Sequence, residues 1–271
     1  MTKSAMAQLL EIMQQLRDPQ TGCPWDIKQT FESIVPHTLE EAYEVADAIE
    51  KGDLAGLKSE LGDLLFQVIF YSQLAKEQQL FDFNDVVNTL NEKLVRRHPH
   101  VFSDEAMTLN DSQLAQQWQA IKAQERQALQ PNGEIKAKMF DTVLPNLPAL
   151  SRANKIQQKV AALGFDWPEI SGAFAKVQEE VEEVAVEIND NPYSDKTAEE
   201  LGDLLFAVVN VARHGKHDPE QLLRNANRKF CLRFEQVEVI LTKQGISLET
   251  ATLTQMDEAW EQVKRSNLTQ S

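Results

Sequence analysis

One seven-residue string occurs twice in this chain. Glu60-Leu61-Gly62-Asp63-Leu64-Leu65-Phe66 returns letter for letter as Glu200-Leu201-Gly202-Asp203-Leu204-Leu205-Phe206. Each copy sets a Glu and an Asp three apart and then enters an uncharged, largely apolar run, 64–75 or 204–212, closed by Lys76 or Arg213. At helical spacing i and i+3 share a face. A run this apolar is usually buried on most sides, so the carboxylates are expected where a hydrophobic core begins. That is a costly place for two negative charges unless something cationic neutralises them. The competing reading is a helix start, where acids favour the helix dipole.

The repeat extends well beyond the string. Trp25 matches Trp167, each three residues after a glycine, Gly22 or Gly164. Glu40-Glu41-x-x-Glu44 matches Glu179-Glu180-x-x-Glu183, and Asn91-x-Lys93-x-x-x-Arg97 matches Asn227-x-Lys229-x-x-x-Arg233. Trp118-x-x-Ile121-Lys122 matches Trp260-x-x-Val263-Lys264. The offsets drift by only a few residues, so the chain reads as two copies of one domain, at 1–130 and 146–271. Pro131-Asn132-Gly133 opens the linker assigned to 131–145. No segment alternates with period two for long enough to suggest a sheet, so the class is all-α.

Helical periodicity predicts helices at 5–17, 38–49, 54–77, 84–97 and 114–129, with a turn-like break over Gly22-Cys23-Pro24-Trp25-Asp26 in which Cys23 and Trp25 pack. Val86, Val87, Leu90 and Leu94 are expected on the inner face of the fourth helix. His98 and His100 beside Pro99 read as a helix C-terminus rather than as metal ligands, and 103–111 reads as a polar loop.

A net charge of −15, from 27 Lys plus Arg against 42 Asp plus Glu, argues against binding a nucleic-acid polymer, which depends on neutralising phosphates. It leaves room for a small phosphorylated ligand held through metal ions. Two cysteines are too few for a disulfide framework and suggest a reducing compartment. Neither uncharged run reaches the roughly 18 to 20 residues of a membrane span, and the N-terminus lacks a signal-peptide core. The expectation is a soluble cytoplasmic protein.

Glu179, Glu180 and Glu183 share one helix face, and Glu200 and Asp203 share one on the next helix. Antiparallel packing across the loop at Asn189-Asp190-Asn191-Pro192 would bring four or five carboxylates together. Hard oxygen ligands in that number suit Mg²⁺ or Mn²⁺. Mg²⁺ normally takes only one or two protein carboxylates, so the cluster suggests more than one ion, with a phosphorylated substrate adding oxygens. Lys229 and Arg233, four apart, are candidates for phosphate oxygens or a solvated basic stripe. Lys176 and Lys196 lie four before Glu180 and Glu200, the spacing of a simple i,i+4 ion pair. Trp260 either stacks on a base or packs, and the acids themselves have a bland reading as a solvated face.

These signatures, with Gly22-Cys23-Pro24-Trp25-Asp26 and Arg96-Arg97-His98-Pro99-His100-Val101-Phe102, resemble the MazG family of nucleoside triphosphate pyrophosphohydrolases over nearly the whole chain. The resemblance implies an all-α fold of two tandem MazG-like helical bundles completed by homodimerisation. It implies Mg²⁺-dependent hydrolysis of nucleoside triphosphates to monophosphate and pyrophosphate, in a nucleotide-pool house-cleaning role. Carried over, Glu180, Glu183, Glu200 and Asp203 are the metal ligands. Glu179 and Glu183 are the candidates for acting on the attacking water. Lys176, Glu179, Glu180, Lys196, Glu199, Lys229 and Arg233 surround the substrate, with Trp260 at the nucleoside. Glu41, Glu44, Glu60 and Asp63 are the equivalent acids of the first half.

Opposite Lys176 the first half has His37, and opposite Lys196 it has Gly56. The second half is therefore expected to be catalytic and the first structural or regulatory. A di-iron bundle wants Glu-x-x-His, whereas both copies read Glu-x-x-Asp. The alternative from a different class is a helical regulatory or interaction protein with vestigial metal sites.

Overall fold

The computed structural model describes residues 3–102, 110–128 and 138–268, and every regular element among them is a helix. The chain divides into two compact units, 1–133 and 134–271. Most of the polar stretch 103–111 and all of Pro131-Asn132-Gly133 lie outside the described residues.

The first unit holds α1 (Ala5–Leu16), α2 (Pro24–Lys28), α3 (Phe31–Lys51), α4 (Leu54–Glu77), α5 (Phe83–Arg97), α6 (Pro99–Phe102) and α7 (Asp111–Ala128). Its centre is the α3/α4 hairpin. Only Gly52 and Asp53 connect the two helices. Gly52 ends α3 at φ 71°, a left-handed conformation that favours glycine, and Asp53 caps α4 by accepting from the Gly56 N–H. So short a connection forces antiparallel packing.

Two boundaries differ from the sequence reading. Helix α3 begins at Phe31, seven residues earlier than periodicity indicated, and runs through Pro36. A Thr30/Ser33 capping box fixes that start, and Pro36 sits close enough to it that few backbone bonds are interrupted. The break at 22–26 is partly the short helix α2, with Pro24 at its first position. Trp25 there is half exposed, edge-on to His37, rather than a buried anchor.

The core of this unit joins Met13, Ile34, Ile69, Phe70 and Leu74 from α1, α3 and α4. Full burial of side chains this size contributes about 1.5–3 kcal/mol each. Arg17 lies over the Phe70 ring, 5.2 Å from its centroid, and donates to Glu77 at 2.7 Å. Leu90 and Leu94, expected to face inward, are instead exposed, because α4 covers only part of α5.

The second unit contains α8 (Ala149–Ala161), α9 (Ile170–Asp190), α10 (Asp195–His214), α11 (Pro219–Lys243) and α12 (Leu253–Leu268). Helices α9 and α10 form the equivalent hairpin. The turn lies slightly later than expected, since α9 continues through Asn189 and Asp190 and the connection is Asn191–Ser194, with Ser194 capping α10 through the Thr197 N–H. Helix α8 packs on α10, while α11 and α12 form a second hairpin around Val237, Leu241, Ala259 and Val263. Met139 accepts from the Lys159 ammonium and Val143 is buried, so residues from 138 onward pack with this unit.

Both apolar runs are buried on one side only within a single chain. Leu61 and Val68 on α4, and Leu201, Leu205, Phe206 and Val208 on α10, are exposed. No helix among the described residues is long and apolar enough to cross a membrane.

Candidate metal and nucleotide site

The antiparallel hairpin brings acids from both of its helices together. Glu180 of α9 and Glu200 and Asp203 of α10 each offer a carboxylate oxygen, all within 4.8 Å of one another. Glu180 is 4% exposed; one oxygen accepts from Lys176 at 2.6 Å, and the other, Oε2, is buried without a partner. A buried carboxylate oxygen without a donor is expensive, and three hard oxygens this close suit a divalent cation better than they suit each other. The residues therefore fit Mg²⁺ or Mn²⁺.

Glu183, one turn along α9, stands outside that group of three and is exposed. Its carboxyl is nonetheless pushed above the usual range, by loss of water and by the charges of Glu180 and Glu200. Lys176 also holds Glu179 at 2.9 Å, and the two acids push its own ionisation well up. Lys196 pairs across the hairpin with Glu187, not with Glu200 four residues along. Glu199 is exposed.

Lys229 and Arg233, on α11, have no ion-pair partner among the described residues and make no ion pair with the acid group. Trp260 packs against Phe230, centroids 5.2 Å apart, beside the α11/α12 core. Sequence spacing thus placed Glu180, Glu200 and Asp203 in one group; Lys229 and Arg233 make no ion pair with it, and Trp260 packs on Phe230.

Behind the acids lies a cleft of about 470 Å³ between α8, α9 and α10. Lys176, Glu180 and Asp203 line it, as do Gln157, Trp167 and Asn210. Gln157 and Asn210 were not expected from sequence, and Trp167 only as the match of Trp25. Asn210 had one available signal: it is the single polar residue in the run 204–212. Beside it Asp166 accepts from Arg213 at 2.5 and 2.9 Å and contacts His214 at 2.9 Å. These partners, Arg213 foremost, hold the Asp166 carboxyl down at about 2.

The first unit repeats the acids as Glu41, Glu60 and Asp63, again within 4.8 Å. Here the carboxyls of Glu41 and Glu60 are raised by loss of water and by their acidic neighbours, Glu44 first. Arg97, the counterpart of Arg233, is locked to Glu125 at 2.6 Å together with Arg96. His98 packs edge-on between His100 and Trp118, with its Nδ1 on the Leu94 carbonyl, so the histidine pair joins no metal-ligand group among the described residues.

Duplicated acid groups on paired helical hairpins decide the comparison. The MazG nucleotide pyrophosphohydrolase domain matches twice, at residues 29–102 and 171–238. This chain belongs to the MazG family. It is 47% identical to the nucleoside triphosphate pyrophosphohydrolase of Escherichia coli K12, over 96% of this chain and 97% of that one. It is 43% identical to the nucleoside triphosphate pyrophosphohydrolase/pyrophosphatase MazG of Thermotoga maritima, over 95% and 94%. A solved mazG-related protein from Thermotoga maritima aligns with 43% of this chain and 98% of its own at 30% identity, with a TM-score of 0.37. As a MazG protein, the chain carries the family domain in both of its units.

Proposed function

We propose that this MazG protein hydrolyses nucleoside triphosphates to monophosphate and pyrophosphate with Mg²⁺, or Mn²⁺ in its place, at the α9/α10 site of the second unit. The observation that carries the reading is the acid group of Glu180, Glu200 and Asp203 opening on a cleft large enough for a nucleoside. Glu180, Glu183, Glu200 and Asp203 hold the ions. Bound there, divalent cations neutralise triphosphate charge and lower the pKa of a coordinated water. Glu179 and Glu183 stand beside that position and orient the attacking water, Glu183 with a carboxyl whose raised pKa suits it to accept a proton. Lys176 and Lys196 exchange their carboxylate partners for phosphate oxygens. Lys229 and Arg233 have no ion-pair partner among the described residues, as expected of cations kept for a leaving pyrophosphate. Glu199 lines the approach, and Trp260 faces the nucleoside.

Homodimerisation completes the bundles in this proposal. Support comes from exposed apolar stripes: Phe174, Val181 and Ile188 repeat every seven residues along α9, and Leu201, Leu205 and Val208 continue the pattern on α10. Base specificity is broad, and the role is clearing the nucleotide pool of the cytoplasm, a compartment that suits the two free cysteines. The first unit, 1–130, is structural or regulatory; the locking of Arg97 by Glu125 favours the non-catalytic reading for that half alone. The linker spans 131–145 and the catalytic domain 146–271.

The test is a panel of nucleoside triphosphates with Mg²⁺, with Mn²⁺ and with chelator, scoring pyrophosphate against orthophosphate. One pyrophosphate per monophosphate, abolished by chelation, is expected. Orthophosphate release, or none from any nucleotide, overturns the proposal. Sedimentation at micromolar concentration tests the dimer.

A further inference from the structure

Asn210 and Gln157 are both buried, at 8% and 4% exposure, in the wall of the cleft behind the acids. Their amide orientations follow from their partners. Arg213 Nε donates to Asn210 Oδ1 at 2.8 Å, and arginine offers only donors, so the oxygen must face it. The Asn210 NH₂ is therefore turned away, with no hydrogen bond to any described residue. Gln157 Nε2 donates to the Phe206 carbonyl at 2.8 Å, which fixes the opposite sense for that side chain. Its Oε1 is left buried with no donor.

Phe206 lies one turn before Asn210 on α10, so Gln157 of α8 meets α10 within one turn of Asn210. Asp166, gripped by Arg213 and His214, keeps the Arg213 guanidinium and hence Asn210 in place. An aromatic wall stands nearby. A Cβ at Gly172 would lie 2.3 Å from the Trp167 ring, so the indole is seated on the bare glycine backbone at the start of α9. Asp203, at the acid end, is seven residues or about 10 Å of helix from Asn210, a span that a nucleoside can bridge.

We infer that this end of the cleft receives the nucleobase, with Asn210 donating to it, Gln157 Oε1 accepting from it, and Trp167 beside its face. The inference rests on the pyrophosphohydrolase reading and assigns the specificity-determining residues of that site. Every common base offers a donor next to an acceptor on its pairing edge, so one fixed donor and one fixed acceptor admit several bases while rejecting an aromatic ring without polar groups. That matches broad specificity with a requirement for a polar base. In the first unit the residue matching Asn210 is Phe70, which packs with Met13 in the core.

The experiment compares dTTP with its difluorotoluene analogue, a base of the same shape without hydrogen-bonding groups. The full chain with Mg²⁺ is used. Wild type is expected to prefer dTTP by roughly 10- to 100-fold in kcat/KM, since the analogue leaves buried polar groups unpaired. Asn210→Leu and Gln157→Met are expected to bring dTTP down toward the analogue, mainly through KM. Their folding is checked by circular dichroism. Equal hydrolysis of both substrates by wild type overturns the inference even if neither variant folds. An undiminished preference in folded variants also overturns it, and leaves the pyrophosphohydrolase reading intact. Equilibrium dialysis of thymidine separates the other failure: thymidine bound by wild type and lost in the variants, with no nucleotide hydrolysed, keeps the base site and removes the proposed reaction.

Discussion

Glu41, Glu60 and Asp63 in the first unit, and Glu180, Glu200 and Asp203 in the second, are the same residue types at the same helical spacing, gathered equally tightly. What lies behind them differs. The first hairpin is backed by Met13, Ile34, Ile69, Phe70 and Leu74, all fully or nearly fully buried. The buried apolar residues of α9 and α10 are Ala173, Val184, Ala207, Val209 and Ala212. Smaller side chains on one scaffold leave space, and space beside carboxylates is what a substrate needs. The charges differ in the same sense. Glu180 keeps an unpartnered buried oxygen and Arg233 has no ion-pair partner among the described residues, whereas Glu44 crowds Glu41 and Glu60 with a further negative charge and Arg97 is bound to Glu125. Duplication preserved the acid cage in both units; in the second, a cleft of about 470 Å³ lies behind it.

The sharpest way to break this contrast is to remove one acid from each unit. Glu183→Ala is expected to lower kcat by about 10²–10³-fold, and Glu44→Ala by less than about threefold, in a pyrophosphate-release assay. Equal losses would end the assignment of catalysis to the second unit.

Next in size is the core itself. Phe70→Ala should destabilise the first unit by about 3–5 kcal/mol, through lost burial and the cavity left behind. Asn210→Ala at the matching position should cost under about 1.5 kcal/mol, because that space is already open. Urea unfolding of the two variants measures the difference.

Metal linkage sharpens the comparison further. Mg²⁺ at a hundred times its dissociation constant should add about 2.7 kcal/mol. Glu200→Gln is expected to abolish most of that increment and Glu60→Gln to leave most of it. The sign with pH follows from Glu183, whose carboxyl is raised by lost water and by Glu180 and Glu200. Its charged form costs stability in the metal-free protein above the ordinary glutamate range, and the cost is relieved as pH falls through the raised value. The Mg²⁺ increment should therefore be larger at pH 8 than at pH 5 in thermal melts.

The smallest expected effect concerns Asp166. Its carboxyl is held at about 2 by Arg213 and His214, so its contribution is complete above the ordinary aspartate range near pH 4 and lost as pH falls through about 2. The stability gap between wild type and Asp166→Asn should be constant from pH 7 to 5 and close below pH 4, followed by chemical denaturation.

Much of this was legible before any coordinates. Periodicity gave α1, α4 and α5 within a residue at each end, because long apolar stripes with clear breaks leave little choice. It missed the start of α3, where a local capping box overrode the signal of Pro36. The acid triplets were readable because i, i+3 spacing and a short hairpin suffice to bring them together. The convergence was looser than expected at Glu183, which is exposed and stands outside the group of three. Lys196 showed a different limit: spacing pointed to Glu200, but the side chain reaches across to Glu187 on the neighbouring helix. Gln157 gave no signal, since it acquires its meaning from the Phe206 carbonyl far away in sequence, and Trp167 signalled only the repeat through its match with Trp25.

The sequence by itself determined the helices, their pairing into hairpins and the two acid groups, because those depend on spacing within a few turns and on short connections. Only the tertiary structure decided that a cleft lies behind the second group. That outcome depends on how side-chain volumes from three helices sum behind the carboxylates, and on which cations find carboxylate partners elsewhere. Neither quantity is local, so no stretch of the chain contains it.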